Sequence, residues 1–340
     1  VGMFTLAAFL ARFISGRIAD RAGRRKVMLV GSAVTAVAGF GYLVATTIAT
    51  FMMLRFFHGL STGFRPPGTS AMLTDRIPKQ RRGEALGYLG VAGNAGMAAG
   101  PALGSWLTVE WGIEWMFVAS ALLGMVSVAL TLPLEETLPK SRPVNRSDFN
   151  LLDGGLIDPN AWPAALVLLP VALAFGIYLT ITPDFVDHLG YVYKGSFNTI
   201  IVVSSIAMRF IAGRMSDRHG RIPILLAGTA LMSLGMVVLG SAETKGVATL
   251  GALLYGASIG INMPTVFAWT TDLAQPGKIA LALGTMLMAL EVGIGAGAVY
   301  SGMRFQGAIE RIPELYCVGG FGTAIAAVAL LPPLLKGRRS

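Results

Sequence analysis

Apolar stretches recur along the whole sequence, each close to the roughly 20 residues that a helix needs to cross a bilayer core. Inside that core every backbone N–H and C=O group must find its partner within the chain, so a spanning stretch folds as a helix. Charged residues make up only 13% of the chain, whereas soluble domains contain about 25%. The sequence therefore predicts an all-α protein that lies in a membrane.

The apolar stretches divide the chain into a series of predicted spans. These spans cover residues 1–19, 27–46, 48–74, 84–108, 113–134, 161–183, 195–215, 223–242, 246–271, 279–304 and 313–335. The one long polar stretch, 135–160, indicates a linker between two bundles. We therefore predict an N-terminal helix bundle over 1–134, a cytoplasmic linker over 135–160 and a C-terminal helix bundle over 161–340.

Positive charge is concentrated in the loops on one side of the predicted spans. Arg24–Lys26 and Arg81–Arg82 lie on that side with the linker and the tail, whereas Glu110 and Glu114 lie on the other side. Short loops rich in Lys and Arg remain in the cytoplasm, so the C-terminus is predicted to be cytoplasmic and Val1 to lie outside. The same pattern accounts for the net charge of +9 without a nucleic-acid partner.

Several classes of chemistry have no support in the sequence. Cys317 is the single cysteine, which excludes an intrachain disulfide and a thiol-rich metal site. The three histidines lie far apart, and no nucleophile–base pair, phosphate-binding glycine loop or ATP-binding motif is present. We therefore predict that the chain is not an enzyme and that it binds no metal and no cofactor.

An internal repeat joins the two halves of the chain. Residues 12–24 recur at 209–221 with a constant offset of 197 positions (213 − 16 = 197). The same offset aligns Gly59 with Gly256, Gly63 with Gly260, Asp75 with Asp272, Gly96 with Gly293 and Gly100 with Gly297. Parallel repeats of this kind are a known transporter plan in which the solute binds between the repeats. The span at 161–183 has no counterpart, so we expect a further span before Val1 and twelve in all.

The repeat begins with a segment of glycine and charge, Gly16-Arg17-Ile18-Ala19-Asp20-Arg21-Ala22-Gly23-Arg24. This segment resembles the signature loop between the second and third helices of the major facilitator superfamily, and its second copy lies where that family has one. The resemblance implies that family's fold, two six-helix bundles with eleven of the twelve spans present. It also implies a latch between the halves that forms in one access state and breaks in the other. The implied latch residues are Gly16, Asp20, Arg21, Gly23, Arg24, Gly213, Asp217, Arg218, Gly220 and Arg221.

The residue types of this segment favour particular local roles. Gly16 and Gly213 favour close helix approach, while Gly23 and Gly220 favour left-handed turns. The alternative to a latch is a basic loop that only sets the topology.

Two further segments resemble the same family. Gly96, Gly100, Pro101 and Gly104 match its antiporter motif, G-x-x-x-G-P-x-x-G, in the fifth helix. Residues 55–59 match its R-x-x-Q-G motif more loosely, with a histidine in place of Gln. The antiporter motif implies proton-coupled efflux, as in bacterial drug or sugar exporters. Ordinary packing of small residues is the alternative.

Polar side chains form one stripe on the predicted fourth helix and another on the tenth. The first stripe contains Arg55, His58, Thr62 and Arg65, and the second contains Tyr255, Ser258, Asn262 and Trp269. Polar side chains inside spans are costly and indicate function. The family resemblance implies that these helices line the central cavity, so the stripes are predicted to contact solute. The alternative for Arg65 is an ion pair that only holds the structure together.

Glu291 is the one acidic residue in the middle of a predicted span, and its repeat counterpart is Asn94. Burial disfavours the charged form of a carboxylate, so such a group can take up and release a proton as access to water alternates. We predict that Glu291 couples transport to protons. The alternative is a hydrogen-bonded group with a structural role.

Together these features predict a secondary active transporter that exports a small organic solute by alternating access in exchange for protons. The predicted partners are the lipid bilayer, the solute and protons, and the expected state is a monomer. The predicted location is the inner membrane, with several spans. Proton-coupled uptake is one alternative, and a membrane sensor or scaffold that does not transport is another.

Overall fold

The computed structural model describes residues 2–78, 81–138, 157–275 and 279–331. This part of the chain is all-α, as predicted. Its helices are α1 (Gly2–Ala22), α2 (Arg24–Gly41), α3 (Ile48–Arg76), α4 (Arg82–Glu110), α5 (Ile113–Thr131), α6 (Trp162–His188), α7 (Lys194–His219), α8 (Arg221–Gly240), α9 (Lys245–Leu273), α10 (Ile279–Phe305) and α11 (Ile312–Ala329). Eight described helices are long and apolar enough to cross a membrane. Most of the predicted linker (139–156) and the tail (332–340) lie outside the described residues.

The residues that cap the starts of α3 and α9 also occupy equivalent positions in the repeat. Thr47 caps α3 by accepting a hydrogen bond from the amide of Thr50 at 3.1 Å, and Thr244 accepts one from the amide of Val247 at the start of α9. These hydroxyls satisfy amides that have no partner within the helix. The offset of Thr244 from Thr47 is again 197 (244 − 47 = 197).

The chain forms two compact units. One contains Met3–Gly96 and Leu103–Leu156, and the other contains Ile157–Ser340 with Val1–Gly2 and Met97–Ala102. The boundaries of the predicted domains at 134 and 161 remain predictions.

Glycines on α3 and α9 bring each helix into backbone contact with a neighbour. A Cβ atom on Gly59 would overlap the carbonyl oxygen of Phe4 in α1, and one on Gly256 would overlap that of Ile201 in α7. Gly63 and Gly260, one helical turn further on, meet the same two helices. Because small residues permit this approach where lipid provides no hydrophobic drive, the same close contact is built twice, in the register of the repeat.

The two halves differ in how a second pair of glycines is covered. Cβ atoms on Gly293 and Gly297 of α10 would meet backbone atoms of Leu169 and Leu173 in α6. Their counterparts on α4, at positions 96 and 100, have no described atom within 4 Å. The helix α6 is the one without a counterpart in the first half, so the fold matches the expectation of eleven out of twelve spans.

The glycine contacts can be tested by adding a side chain. Gly260→Leu should destabilise the protein by at least about 1–3 kcal/mol, because the new side chain would meet the carbonyl of Ser205 in a packed interface. Gly302→Leu, where no described atom lies within 4 Å, is the control for the change in helix propensity. Thermal unfolding in detergent should separate the two variants, and equal stability would contradict the proposed contact.

Candidate functional site

A cluster of ion pairs and hydrogen bonds joins the signature loop to the ends of α3 and α5. Gly23 turns the chain with φ of 129°, a conformation that glycine adopts without steric cost. Immediately after it, the Nε atom of Arg24 lies 2.7 Å from Oδ2 of Asp75. The same carboxylate oxygen accepts a hydrogen bond from the hydroxyl of Thr137 at 2.7 Å. The loop, the end of α3 and the chain after α5 therefore meet at Asp75.

Glu136 closes the other side of this cluster. Its carboxylate accepts hydrogen bonds from the amides of Arg24 at 3.0 Å and Arg25 at 3.1 Å, the first two residues of α2. It also accepts bonds from the amides of Thr137 at 3.0 Å and Leu138 at 3.1 Å. A carboxylate is favoured there because the first amides of a helix have no partner within the helix and carry partial positive charge. Glu136 thus caps α2 from the chain that follows α5.

Two arginines extend the cluster through backbone carbonyls. The guanidinium of Arg25 donates a hydrogen bond to the carbonyl of Leu132, and that of Arg76 donates one to the carbonyl of Glu135 at 2.9 Å. Arginine suits this task because its fork of donors stays charged and can reach several acceptors. The chain that leaves α5 is therefore held by α2 and α3 together.

The second unit repeats the central ion pair of the cluster. The Nε atom of Arg221 lies 2.8 Å from Oδ2 of Asp272, the counterpart of the Arg24–Asp75 pair at the offset of 197 (221 − 24 = 197). The same guanidinium also pairs with Asp217 and donates a hydrogen bond to the Ser216 hydroxyl at 3.0 Å. Gly220 turns the chain with φ of 87° and caps α8 without a side-chain hydrogen bond.

These contacts test the local expectations for the signature segment. Gly23 and Gly220 have the positive φ that only glycine adopts without cost, but their ψ of 138° and 163° gives an extended backbone instead of the predicted left-handed turns. The close helix approach predicted at Gly213 is wrong for the described residues, because no described atom lies within 4 Å of its added Cβ. The side chains at positions 16, 17 and 20 lie outside what the structure describes.

The predicted latch between the halves remains a prediction. The ion pairs of the two signature segments, Arg24–Asp75 and Arg221 with Asp217 and Asp272, each lie within one unit. Arg21 and Arg218 are exposed. Sequence reasoning assigned no role to Asp75 or Glu136. The constant offset between Asp75 and Asp272 was a signal in the sequence that could have identified Asp75. The contacts of Glu136 depend on the path of the chain after α5, and no sequence signal indicated them.

The polar stripe on α3 contacts aromatic side chains. The guanidinium of Arg55 lies 5.1 Å from the ring centroid of Phe4, within the range of a cation–π contact. His58 Nδ1 lies 3.2 Å from the hydroxyl of Tyr42. The hydroxyl of Thr62 donates to its own helix, at the carbonyl of Gly59. Arg65 is exposed, so its guanidinium is the group of this stripe with the most access to solvent.

The matching stripe on α9 lies inside the second unit. Tyr255, Ser258 and Asn262 are fully buried, at 0% exposure, and Trp269 is half-buried against the same core. The ring of Tyr255 packs 4.9 Å from that of Tyr178. Among the described residues, the hydroxyl of Tyr255 and both amide atoms of Asn262 have no hydrogen-bond partner. Contact of these side chains with solute remains a prediction.

Glu291 lies on α10, and the antiporter motif lies on α4, which is the counterpart of α10 in the repeat. Glu291 is buried in α10, with 6% of its surface exposed. On α4, Pro101 lies inside the helix, and a Cβ added to Gly104 would approach Met116 of α5 at 3.4 Å. Among the described residues, no group of three His, Cys, Asp or Glu side chains could hold a metal ion. The roles of Glu291 in proton coupling and of the motif in antiport remain predictions.

The chain is similar in sequence and in fold to several known proteins. Residues 1–298 match the Major Facilitator Superfamily. Multidrug resistance protein 1 of Bacillus subtilis is 23% identical, over 90% of this chain and 79% of the relative. Quinolone resistance protein NorA of Staphylococcus aureus is 25% identical, over 52% of this chain and 45% of its own length. The crystal structure of a D-xylose–proton symporter has the same fold, with a TM-score of 0.76 and 18% identity over 96% of this chain and 86% of that one.

The cap on α2 predicts a local effect of removing its carboxylate. Glu136→Ala should destabilise the start of α2 by about 0.5–2 kcal/mol, the range for loss of a helix cap. Hydrogen exchange at residues 24–26 should become faster, while exchange at the start of α8 should not change. Glu135→Ala is the matched control, because Arg76 contacts the carbonyl of Glu135 and not its side chain. Equal exchange in the two variants would show that Glu136 does not cap the helix.

Proposed function

This chain belongs to the major facilitator superfamily, and we propose that it is a secondary active transporter that exports a small organic solute in exchange for protons. The observation that supports this most is the repeated Arg–Asp pair, Arg24–Asp75 and Arg221–Asp272, at equivalent places in two related bundles. Each pair fixes the loop that joins two helices of its own bundle. Such bundles suit a mechanism in which each half moves as one body around a solute.

Export is favoured by the relatives and by one motif. Relatives of this chain carry the names multidrug resistance protein and quinolone resistance protein, and residues 96–104 fit the antiporter pattern. Proton-coupled uptake is the second candidate, because a proton symporter for D-xylose shares the fold. The two candidates differ in the direction in which a proton gradient drives the solute.

The proposed roles follow the charge and burial of the side chains. Arg55 and Arg65 provide positive charge and hydrogen-bond donors on the polar stripe of α3, which suits a solute with negative charge or many hydroxyl groups. Glu291 is the proposed proton carrier, since it is an acid buried within a span. The signature residues are the proposed latch between the access states.

The basic residues in the loops also suggest how the transporter is oriented in the membrane. We propose a monomer in the cytoplasmic membrane, with the signature loops and the C-terminus in the cytoplasm. The basic residues of the loops support this orientation.

Transport in inside-out vesicles tests the direction. Acidification of the vesicle lumen should drive a fluorescent quinolone into vesicles that contain the chain, because protons leave as the solute enters. A proton ionophore should abolish the accumulation. Glu291→Gln should abolish it as well, whereas Glu114→Gln, an exposed acid of the first unit, should not. Accumulation that needs an alkaline lumen would indicate uptake, and full proton-driven transport by Glu291→Gln would exclude the proposed role of Glu291.

The buried amide of Asn262 predicts opposite effects on stability and transport. Asn262→Leu should stabilise the fold by about 1–3 kcal/mol, because it removes polar atoms that are buried without a partner. It should also slow transport, since those atoms are then absent when the solute binds. Asn198→Leu is the contrasting variant: the side-chain amide oxygen of Asn198 accepts a hydrogen bond from the hydroxyl of Tyr178, so its loss should destabilise the fold. A destabilised Asn262→Leu variant, or one with normal transport, would contradict this role.

A further inference from the structure

A cavity of about 470 Å³ opens at one end of the second unit, and the proposed transport mechanism does not use it. Three segments form its walls: the end of α6 with His188, the turn between α8 and α9 with Glu243, and the turn between α10 and α11 with Glu310. This end lies opposite the Arg221–Asp272 pair, because α8 begins at Arg221 and ends at Gly240. The cavity lies wholly within one bundle.

The floor of the cavity is apolar and closely packed. Phe185 and Ile312 line it and are 4% and 2% exposed. The ring of Phe185 meets that of Tyr316 edge to face, with centroids 5.4 Å apart. A Cβ atom on Gly240 would lie 3.0 Å from the carbonyl oxygen of Pro313, so the two turns on either side of the cavity are held close together. These contacts give the cavity fixed apolar walls below a polar rim.

The charged rim carries two carboxylates without an ion pair. Among the described residues, neither Glu243 nor Glu310 lies within salt-bridge distance of a cationic side chain, and the cations of this end have other partners. Lys194 pairs with Asp187 at 2.9 Å, and Arg304 pairs with Glu314 at 2.8 Å. Lys245 donates to the carbonyl of Gly190, and Arg311 donates to that of Arg304. The carboxylates of Glu243 and Glu310 are therefore left to meet a cation from outside the chain.

We propose that this cavity binds a small organic cation, an ammonium group attached to an apolar body. The ammonium would lie between Glu243 and Glu310, where carboxylates form strong charge-assisted hydrogen bonds. The imidazole of His188 offers a further acceptor on the rim. The apolar body would rest on Phe185 and Ile312, where burial removes it from water. A bare metal ion fits less well, because the described residues contain no cluster of three ligands.

The same ammonium chemistry has two sources, a soluble amine and the headgroup of a membrane lipid. The cavity does not include the α9 stripe, and its binding does not depend on movement between access states. The proposal therefore goes beyond the proposed function, and a chain that fails to transport can still bind the cation here.

A fluorine probe in the cavity wall tests the binding directly. The single natural cysteine allows Ser241→Cys to be labelled alone in a Cys317→Ser background, and Ser241 lines the cavity. Benzylammonium should shift the ¹⁹F NMR signal of a trifluoroethylthio label in a saturable way, while benzenesulfonate should not. Adding Glu243→Gln with Glu310→Gln should weaken the binding by about tenfold or more, because charge-assisted bonds are lost.

The matched control replaces the acids of the other bundle, Glu110→Gln with Glu114→Gln, and should leave the affinity unchanged. Nanodiscs that contain ethanolamine lipids, compared with glycerol lipids, test the headgroup as the source without any soluble probe. A shift in these nanodiscs that the Glu243→Gln and Glu310→Gln pair removes would support the proposal with a lipid as the ligand. If neither amine shifts the signal, or if the pair of Gln variants binds as tightly as the parent, the cavity is not a cation site.

Discussion

The close contact of helices at glycine is the constraint on which the rest of this structure depends. In lipid, helices gain little from hiding apolar surface from one another, so their association depends on how closely they can pack. At Gly59 and Gly256 the approach is so close that a single methyl group would overlap a neighbouring carbonyl. These contacts fix α3 on α1 and α9 on α7, and therefore fix where the polar stripes of α3 and α9 point.

The register of the internal repeat predicts many of the equivalent contacts in the two halves of the fold. A constant offset of 197 aligns Gly59 with Gly256, and the structure places the two glycines in equivalent contacts with a neighbouring helix. The offset also aligned Asp75 with Asp272, and both carboxylates pair with the equivalent arginine. Glu136 could not be found in this way. Its two partners on α2 depend on how the chain after α5 folds back, which no local pattern encodes.

The polar stripes of α3 and α9 differ in burial at positions that are equivalent in the repeat. Arg65 and Asn262 are counterparts, and each lies against a glycine of the preceding helix, Gly31 and Gly228. Arg65 nevertheless remains exposed while Asn262 is buried. The difference follows from charge: a guanidinium cannot be buried without a partner, whereas a neutral amide is buried at a cost of a few kcal/mol at most. The sequence predicted the stripes, but the burial of one of them depends on tertiary packing.

The Glu136 cap gives the first bundle a restraint that bears on how it could move. The carboxylate binds the first two amides of α2 and the amides of the two residues that follow it, Thr137 and Leu138. A displacement of α2 away from α5 must break the two bonds from the amides of Arg24 and Arg25, and a displacement of α2 away from α3 must part Arg24 from Asp75. Several charge-assisted hydrogen bonds lost at once are costly, at about 1.5–3 kcal/mol each. Motion of α2, α3 and α5 as one body therefore requires far less energy than motion of α2 alone, which is the property that a rocking bundle needs.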